Sequence, residues 1–251
     1  MFISTKHLVN KYGINEEIAR FFVDREPPVD NLYWRGKLLY LRPSLPGYLF
    51  IPLIVDLLFK VGVNKEALLS ERFVGAMEQV GHISAREEIE EISMAEAIKE
   101  CENTVKENAI NRLWLEHVND YFNCKEGNFF SKLTTPFRSL HRGDVFLFSL
   151  STLSFPPHLF VKIAELWFAL IGLSLLVDDA QDIESDRDAG DENAYLESGL
   201  DEDGLNRIAA LVADSVKKIS SVNPTMGNEL RQQHRELAQQ PYIVNLLKHS
   251  I

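Results

Sequence analysis

The sequence predicts an all-α protein, and three observations favour this fold class. Apolar residues recur at helical spacing along nearly the whole chain of 251 residues. Sustained apolar and polar alternation, which is typical of strands, is not found. No Asn-Gly or Asp-Gly pair joins two β-branched runs, and Asp203-Gly204 lies between polar residues, where a helix start is expected. We therefore expect one large helical bundle.

Apolar periodicity, capping residues and prolines predict the helices in order. Two predicted helices have clear caps: one starts after Asn64 or Ser70 and ends at Gly81, and a long acidic helix capped by Ser84 spans residues 85–109. The other predicted helices cover residues 3–11, 15–24, 48–60, 108–122, about 158–188, 204–220 and 228–239. Residues 129–155 are apolar with a basic interruption. Because no linker divides these segments, we expect a single domain over residues 1–251.

Composition and charge exclude several classes of protein. A formal charge of -11 and 26 scattered Lys and Arg residues do not favour a nucleic-acid or anionic-membrane surface. Cys101 and Cys124 have no zinc-site spacing and are interpreted as free thiols in a reducing compartment. The first residues lack a leader pattern, and the longest apolar run is interpreted as too short to cross a bilayer. We expect a soluble, cytoplasmic protein.

Residues 167–188 combine an apolar run with four aspartates. On a helix, Asp178, Asp182 and Asp186 form one column, with Asp179 beside its upper end. At roughly 6 Å and an effective dielectric near 20, repulsion costs about 3 kcal/mol per pair. A divalent cation would remove this cost, and hard oxygen ligands with no His or Cys among them favour Mg²⁺, Mn²⁺ or Ca²⁺ over zinc. The alternative is a solvated helix end in an acidic protein.

A second acidic cluster has the same i, i+1, i+4 spacing. Glu87, Glu88 and Glu91 lie in the sequence EEIEE, and two facing helices with such triplets could hold divalent ions between them. The alternative is a solvated, Glu-rich helix face, since Glu is a good helix former.

Basic residues form two short groups that match the chemistry of diphosphate oxygens. One group is Arg35, Lys37 and Arg42, and the other is Arg138, His141 and Arg142. Arginine binds such oxygens with two parallel hydrogen bonds, whereas lysine acts as a point charge. Each group could instead lie on the surface without a ligand.

In this order along the chain, these elements resemble the trans-isoprenyl diphosphate synthase family of the class I terpenoid synthase fold. The stretch LIGLSLLVDDAQDIESDRDAG is similar to the family's second aspartate-rich motif, DDxxD. Gly36, Lys37, Arg42 and Pro43 resemble its early G-K-x-x-R-P element, with a longer spacing. The stretch AMEQVGHISAREEIEE is similar to the region of its first DDxxD motif, with EExxE in place of DDxxD. The resemblance spans roughly residues 35–195.

The chain departs from the family pattern at several positions. Glutamate replaces aspartate in the first motif, which lengthens each ligand by one methylene. Leu175 and Leu176 stand where the family has Phe-Gln, and Asp191 stands where it has Lys. No RRG follows the first motif, the spacing between the two acidic motifs is short, and His82 is out of register with the family's substrate-binding His.

The resemblance implies an isoprenoid-synthase bundle with a central apolar cavity and a Mg²⁺-dependent (or Mn²⁺-dependent) condensation of an allylic diphosphate with isopentenyl diphosphate. It implies metal ligands at Asp178, Asp179, Asp182, Glu87, Glu88 and Glu91. Lys37 and Arg42 would hold the second diphosphate, and Arg142 would contact the leaving group. A homodimer is left open.

Three alternatives remain at this point. The chain could be a non-catalytic or altered member that keeps the bundle, or a terpene cyclase-like enzyme that needs one substrate and no site at Lys37 and Arg42. A calcium loop at residues 186–197 is the third alternative, but Gly190 lies at position 5 of that loop, whereas the EF-hand turn needs glycine at position 6.

Overall fold

The computed structural model describes residues 4–26, 28–33 and 50–239. Within these residues the chain forms helices and no strand, which confirms the all-α prediction. The α-helices are α1 Thr5–Tyr12, α2 Glu16–Asp24, α3 Phe50–Lys60, α4 Lys65–Leu68, α5 Glu71–Glu88, α6 Met94–Lys106, α7 Arg112–Phe122, α8 Leu147–Leu150, α9 Phe160–Ala189, α10 Ala194–Ser198, α11 Glu202–Ser220 and α12 Pro224–Ala238. Short 3-10 helices lie at Phe129–Lys132, Arg138–His141, Asp144–Phe146 and Pro157–Leu159.

Polar side chains set where most of these helices begin. Asn64 caps α4 and Ser70 caps α5, so both caps expected from the sequence are used. Asn223 caps α12, and Pro224 is its first residue. The Asn-Pro pair therefore ends α11 and also starts the next helix, four residues before the predicted start at residue 228.

The long helix α9 lies at the centre of the bundle, packed against α3, α10, α11 and α12. Its first half is buried in the main core, where Trp167 is fully buried. Its second half contributes Leu176, Ala180 and Ile183 to a smaller apolar cluster that also contains residues of α10 and α11. One face of α9 therefore stays buried almost to its acidic end.

The predicted acidic helix over residues 85–109 is wrong. Helix α5 runs through Ser84 and ends at Glu88, and Glu90 has a left-handed backbone with φ 61°. A separate helix, α6, starts after Ser93, which forms a capping box with Glu96. The turn between α5 and α6 therefore interrupts the EEIEE sequence.

The prediction that a helix ends at Gly81 is wrong, because Gly81 lies inside α5. The missing side chain at this position leaves space for a neighbouring ring. A Cβ atom on Gly81 would lie 2.8 Å from Cδ1 of Tyr33 and 3.2 Å from Cζ of Phe146. Glycine therefore allows the segment before residue 34 to pack closely against α5.

We expect Gly81→Ala to lower the free energy of unfolding by about 1–3 kcal/mol, because the methyl group overpacks this contact. Gly75→Ala in the same helix is the matched control, since its Cβ would meet only the flexible end of Glu71, at 3.2 Å. The control should be stabilised by up to about 1 kcal/mol, as alanine favours helices. Urea unfolding measures both, and equal stability of the two variants would refute the close contact.

A buried carboxylate joins the two ends of the described chain to α3. Asp56 is fully buried and accepts hydrogen bonds from the backbone N–H of Asn15 at 2.8 Å, from the amide of Asn223 at 2.9 Å and from Lys60. The amide of Asn223 also donates to the carbonyl of Tyr12 at 3.0 Å. The starts of α2 and α12 are thus held on one side chain.

Within the described residues, the 3-10 helix Pro157–Leu159 and α9 together form one helical segment, Pro157–Ala189, that is long and apolar enough to cross a membrane. The expectation that no apolar run reaches this length is therefore wrong. However, 72% of its most apolar stretch is buried inside the protein. This burial is consistent with the core helix of a soluble protein.

Candidate functional site

The four aspartates of α9 divide between two environments. Asp178, Asp182 and Asp186, which we call the acidic column, are partly exposed. Asp179 is only 1% exposed and lies on the face that carries Ala180 and Ile183. The column predicted from helical spacing is present, whereas the aspartate beside it points into the bundle.

Both carboxylate oxygens of Asp179 are already bonded within the protein. Its Oδ1 accepts a hydrogen bond from Nη2 of Arg142 at 2.7 Å, and its Oδ2 accepts one from the backbone N–H of Ala194 at 2.6 Å. Asp179 therefore joins α9 to Arg142 and to the start of α10.

Residues 190–194, which we call the strap, return the chain from the end of α9 onto its side. Asn193 donates to the backbone carbonyl of Asp179 at 2.6 Å and to Oδ2 of Asp186 at 2.7 Å. Its own side-chain oxygen accepts from the N–H groups of Tyr195 and Leu196 and so caps α10. The buried side chain of Asn193 thus holds Asp186, the last aspartate of the acidic column.

Arg142 is the cation of the site and lies between the acidic column and the strap. Its Nη2 is 3.6 Å from Oδ2 of Asp178, and its Nη1 donates to the carbonyl of Glu192 at 3.0 Å. The next residue, Gly143, comes so close to α9 that a Cβ there would lie 3.3 Å from Ile171. The guanidinium is therefore placed by a segment packed directly on α9.

The 3-10 helix Arg138–His141, which precedes Arg142, is held from α10. The carboxylate of Glu197 accepts hydrogen bonds from the backbone N–H groups of Arg138 at 2.8 Å and Ser139 at 3.0 Å. These bonds lower the pKa of Glu197, although burial alone acts to raise it. His141 contacts the carbonyl of Thr135, and burial lowers its pKa.

Burial and mutual repulsion set the protonation of the acidic residues. Burial raises the pKa of Asp178 to about 6, with contributions from the other three aspartates and opposition from Arg142. Burial also raises the pKa of Asp179, although Arg142 and the N–H of Ala194 act in the opposite direction. The pKa of Arg142 is raised because Asp179 and Asp178 outweigh its burial. A bound cation would favour the charged form of Asp178.

The three glutamates of EEIEE do not share one helical face. Glu87 and Glu88 are the last residues of α5, whereas Glu91 lies in the following turn and pairs with Arg86 at 3.4 Å. Burial raises the pKa of Glu87, together with the charges of Glu88 and Glu192. The charge of Glu192 on the strap thus acts on Glu87, whereas Glu91 pairs with Arg86 of the preceding helix.

Lys37 and Arg42, predicted to bind the second diphosphate, lie outside the described residues, as does Arg35. The described residues on either side are Tyr33 and Phe50. Their rings lie 5.6 Å and 5.0 Å from the ring of Phe146, respectively. Phe146 belongs to the 3-10 helix that begins two residues after Arg142.

The oxygen donors of the acidic column fit a hard divalent cation in chemistry but form only part of a ligand set. Asp178 and Asp182 have exposed carboxylate surface, whereas Asp179 is buried and hydrogen-bonded and Glu91 is ion-paired. In the part of the chain that the structure describes, no group of three or more His, Cys, Asp or Glu side chains is arranged to hold a metal ion. Asp178 and Asp182 are the carboxylates of the column with surface left to contribute to such a site.

Two glycines allow neighbouring segments to pack closely on α9, before the acidic column. A Cβ on Gly172 would lie 3.3 Å from Thr135, and Ile171 packs equally closely on Gly143. An open cleft of about 730 Å³ lies elsewhere, on α11, and is lined by Asp201, Asp203, Asn206, Arg207 and Ala210. The central apolar cavity that the resemblance implies stays a prediction.

Asn193 and Glu192 are site residues that the sequence reasoning missed. Asn193 lies in the stretch AGDEN, residues 189–193, whose composition is typical of a turn. Its position directly before the apolar residues AYL is typical of a helix N-cap, so the sequence did contain a signal for it. The contact of Glu192 with Arg142 is made by its backbone carbonyl, for which no sequence signal exists.

Comparison with known proteins adds no assignment to this geometry. No family model, no curated protein and no solved structure matches the chain.

Proposed function

We propose that this chain is a divergent, Mg²⁺-dependent prenyltransferase-like protein of the isoprenoid-synthase type, which condenses an allylic diphosphate with isopentenyl diphosphate. The observation that carries the proposal is the placement of Arg142 beside the acidic column, with Nη2 3.6 Å from a partly exposed carboxylate of Asp178. Anion-binding and cation-binding groups therefore lie side by side, as a complex of diphosphate and metal requires.

The residues divide between the two partners of such a complex. Asp178 and Asp182 would hold Mg²⁺ or Mn²⁺, and Arg142 would donate N–H groups to the oxygens of the leaving diphosphate. The bound metal would stabilise the negative charge that develops as the carbon–oxygen bond breaks. Glu87 is the residue of the first acidic motif best placed to contribute, because it responds to the charge of Glu192 on the strap.

Asp179 has a different role in this proposal from the one that the family motif implies. Its bonds to Arg142 and Ala194 orient the guanidinium and the strap, so it acts as a positioning residue and not as a ligand. Lys37 and Arg42 keep their proposed role in binding isopentenyl diphosphate.

The direct test is incubation of the full chain with Mg²⁺, isopentenyl diphosphate and labelled allylic diphosphates of several lengths. We expect release of diphosphate and formation of a longer allylic diphosphate. Asp178→Ala should lower the rate by about 10²-fold or more, as for loss of a group that stabilises charge in the transition state. Asp188→Ala, which removes an exposed carboxylate further along α9, is the matched control and should keep the activity.

The outcomes separate the alternatives. No diphosphate release from any allylic substrate by the folded protein would contradict an enzymatic role. A cyclase-like enzyme would still release diphosphate after Lys37→Ala and Arg42→Ala, whereas condensation by a synthase would be lost.

A non-catalytic relative of the same bundle is the second candidate, and two observations favour it. Glu91 pairs with Arg86, and both carboxylate oxygens of Asp179 are already bonded within the protein. Such a protein would bind Mg²⁺ weakly or not at all and would turn over no prenyl diphosphate in the same assay.

A further inference from the structure

The core contains an acid that the proposed reaction does not use. Asp144, the first residue of the 3-10 helix Asp144–Phe146, is fully buried. Its Oδ2 accepts a hydrogen bond from the hydroxyl of Tyr121 on α7 at 2.6 Å, and its Oδ1 accepts a longer one from the indole N–H of Trp167 on α9 at 3.4 Å. Both donors are neutral, and the ion pairs of the described residues include none to this carboxyl group.

Other ionisable groups on the packed elements are engaged elsewhere. The 3-10 helix packs against α5, α6 and α8, with α7 and α9 supplying the two donors. The ionisable groups that lie inward on these elements include Glu78, paired with Arg25; His82, which accepts from the N–H of Leu32; the thiol of Cys101; and Tyr121 itself. The ring of His141, on the preceding 3-10 helix, lies 6.4 Å from the ring of Tyr121, and its Nε2 contacts the carbonyl of Thr135. On the same segment as Asp144, Arg142 pairs with Asp179.

We propose that Asp144 is a proton switch in the core, and that loss of its proton loosens the contact of the 3-10 helix Asp144–Phe146 with α9. A carboxylate in this position would be a buried charge with two neutral hydrogen-bond donors, whereas the carboxylic acid is neutral. The inference needs neither metal nor diphosphate and is independent of the proposed function.

The direction of the pH dependence follows from the pKa. Burial raises the pKa of Asp144 from 3.8 to about 7, although the hydrogen bonds from Tyr121 and Trp167 act to lower it. The folded protein therefore binds this proton more tightly than the unfolded chain does. The stabilisation is fully present below about pH 4 and is lost as the pH rises through about 7.

Comparison of wild type with Asp144→Asn isolates this group from all others that titrate. Asparagine is neutral at every pH and can still accept the hydrogen bond of Tyr121. We expect the ratio of the unfolding equilibrium constants, wild type over Asp144→Asn, to rise by about 10²- to 10³-fold between pH 4 and pH 8. A ratio that stays constant over this range would overturn the proposal.

Two further measurements distinguish a proton switch from a purely structural side chain. Tyr121→Phe should shift the midpoint of the pH dependence upward, because it removes a hydrogen bond that favours the ionised form. Infrared difference spectra between pH 5 and pH 8 should show more loss of carboxylic-acid signal in wild type than in Asp144→Asn, where Asp178 still contributes. An unchanged midpoint in Tyr121→Phe, or the same carboxylic-acid signal in wild type and Asp144→Asn, would contradict the switch.

Discussion

Arg142→Met is expected to lower the free energy of unfolding by about 3 kcal/mol at pH 8, as for removal of one partner of a buried ion pair. The loss is large because Asp179 is 1% exposed and would retain only the N–H of Ala194 as a partner for its carboxylate. Without Arg142, burial would raise the pKa of Asp179 further. The deficit should therefore shrink as the pH falls and Asp179 takes up a proton, which urea unfolding between pH 5 and pH 8 measures.

The double variant Arg142→Met with Asp179→Asn tests this explanation. Removal of both charges should recover much of the lost stability, because no unpaired carboxylate stays buried. Adding Asp178→Asn to Arg142→Met instead should recover less, since the side chain of Asp178 is 23% exposed and reaches water. Equal recovery by both second substitutions would show that Asp179 is not the group stabilised by Arg142.

Asp56→Ala is expected to lower the free energy of unfolding by about 3–5 kcal/mol, because it removes the counter-charge of Lys60 and an acceptor that two polar donors share. The donors are the backbone N–H of Asn15 and the side-chain amide of Asn223. Thermal and urea unfolding should agree on this loss. Asp56→Asn should cost less than alanine, since it keeps an acceptor oxygen.

Asp214→Ala is the matched control for this prediction. Asp214 also pairs with a lysine four residues away, Lys218, at 2.8 Å, but its side chain is 54% exposed. An exposed pair of this kind contributes about 0.3–0.5 kcal/mol. If Asp56→Ala were as mild as Asp214→Ala, the three-way junction at Asp56 would not stabilise the fold.

Helix positions could be predicted well wherever local signals agreed. Asn15, Asn64 and Ser70 precede apolar stripes and cap the helices that follow them. The central helix could also be predicted, because its apolar run allows no other element. These features depend on residues close together in the sequence, where spacing and capping chemistry are sufficient.

In the predicted acidic helix over residues 85–109, two possible capping signals compete. Ser84 and Ser93 are each followed three residues later by glutamate, so either could form a capping box. The fold uses Ser93, because α5 continues past Gly81 to hold Tyr33 and Phe146. That choice depends on contacts between distant parts of the chain and could not be made from spacing alone.

The candidate site could be predicted in part. The acidic column follows from helical geometry, but the burial of Asp179 depends on α10 and α11 covering that face of α9. The sequence does indicate that Asp179 lies on a buried face, because Leu176 lies three residues before it and Ile183 four residues after it, as expected for an apolar helix face. Its bonds to Arg142 and Ala194 could be found only in the folded protein. Functional roles for these residues remain predictions.

The junction at Asp56 also constrains the order in which the chain can fold. The amide of Asn223 bonds the carbonyl of Tyr12 across a sequence separation of 211 residues. During synthesis, α1 is made early but cannot complete its docking until α12 has left the ribosome. Contacts of such long range slow folding, because the intervening chain must first be ordered. Helix α1 therefore completes its native contacts late, although it is made long before α12.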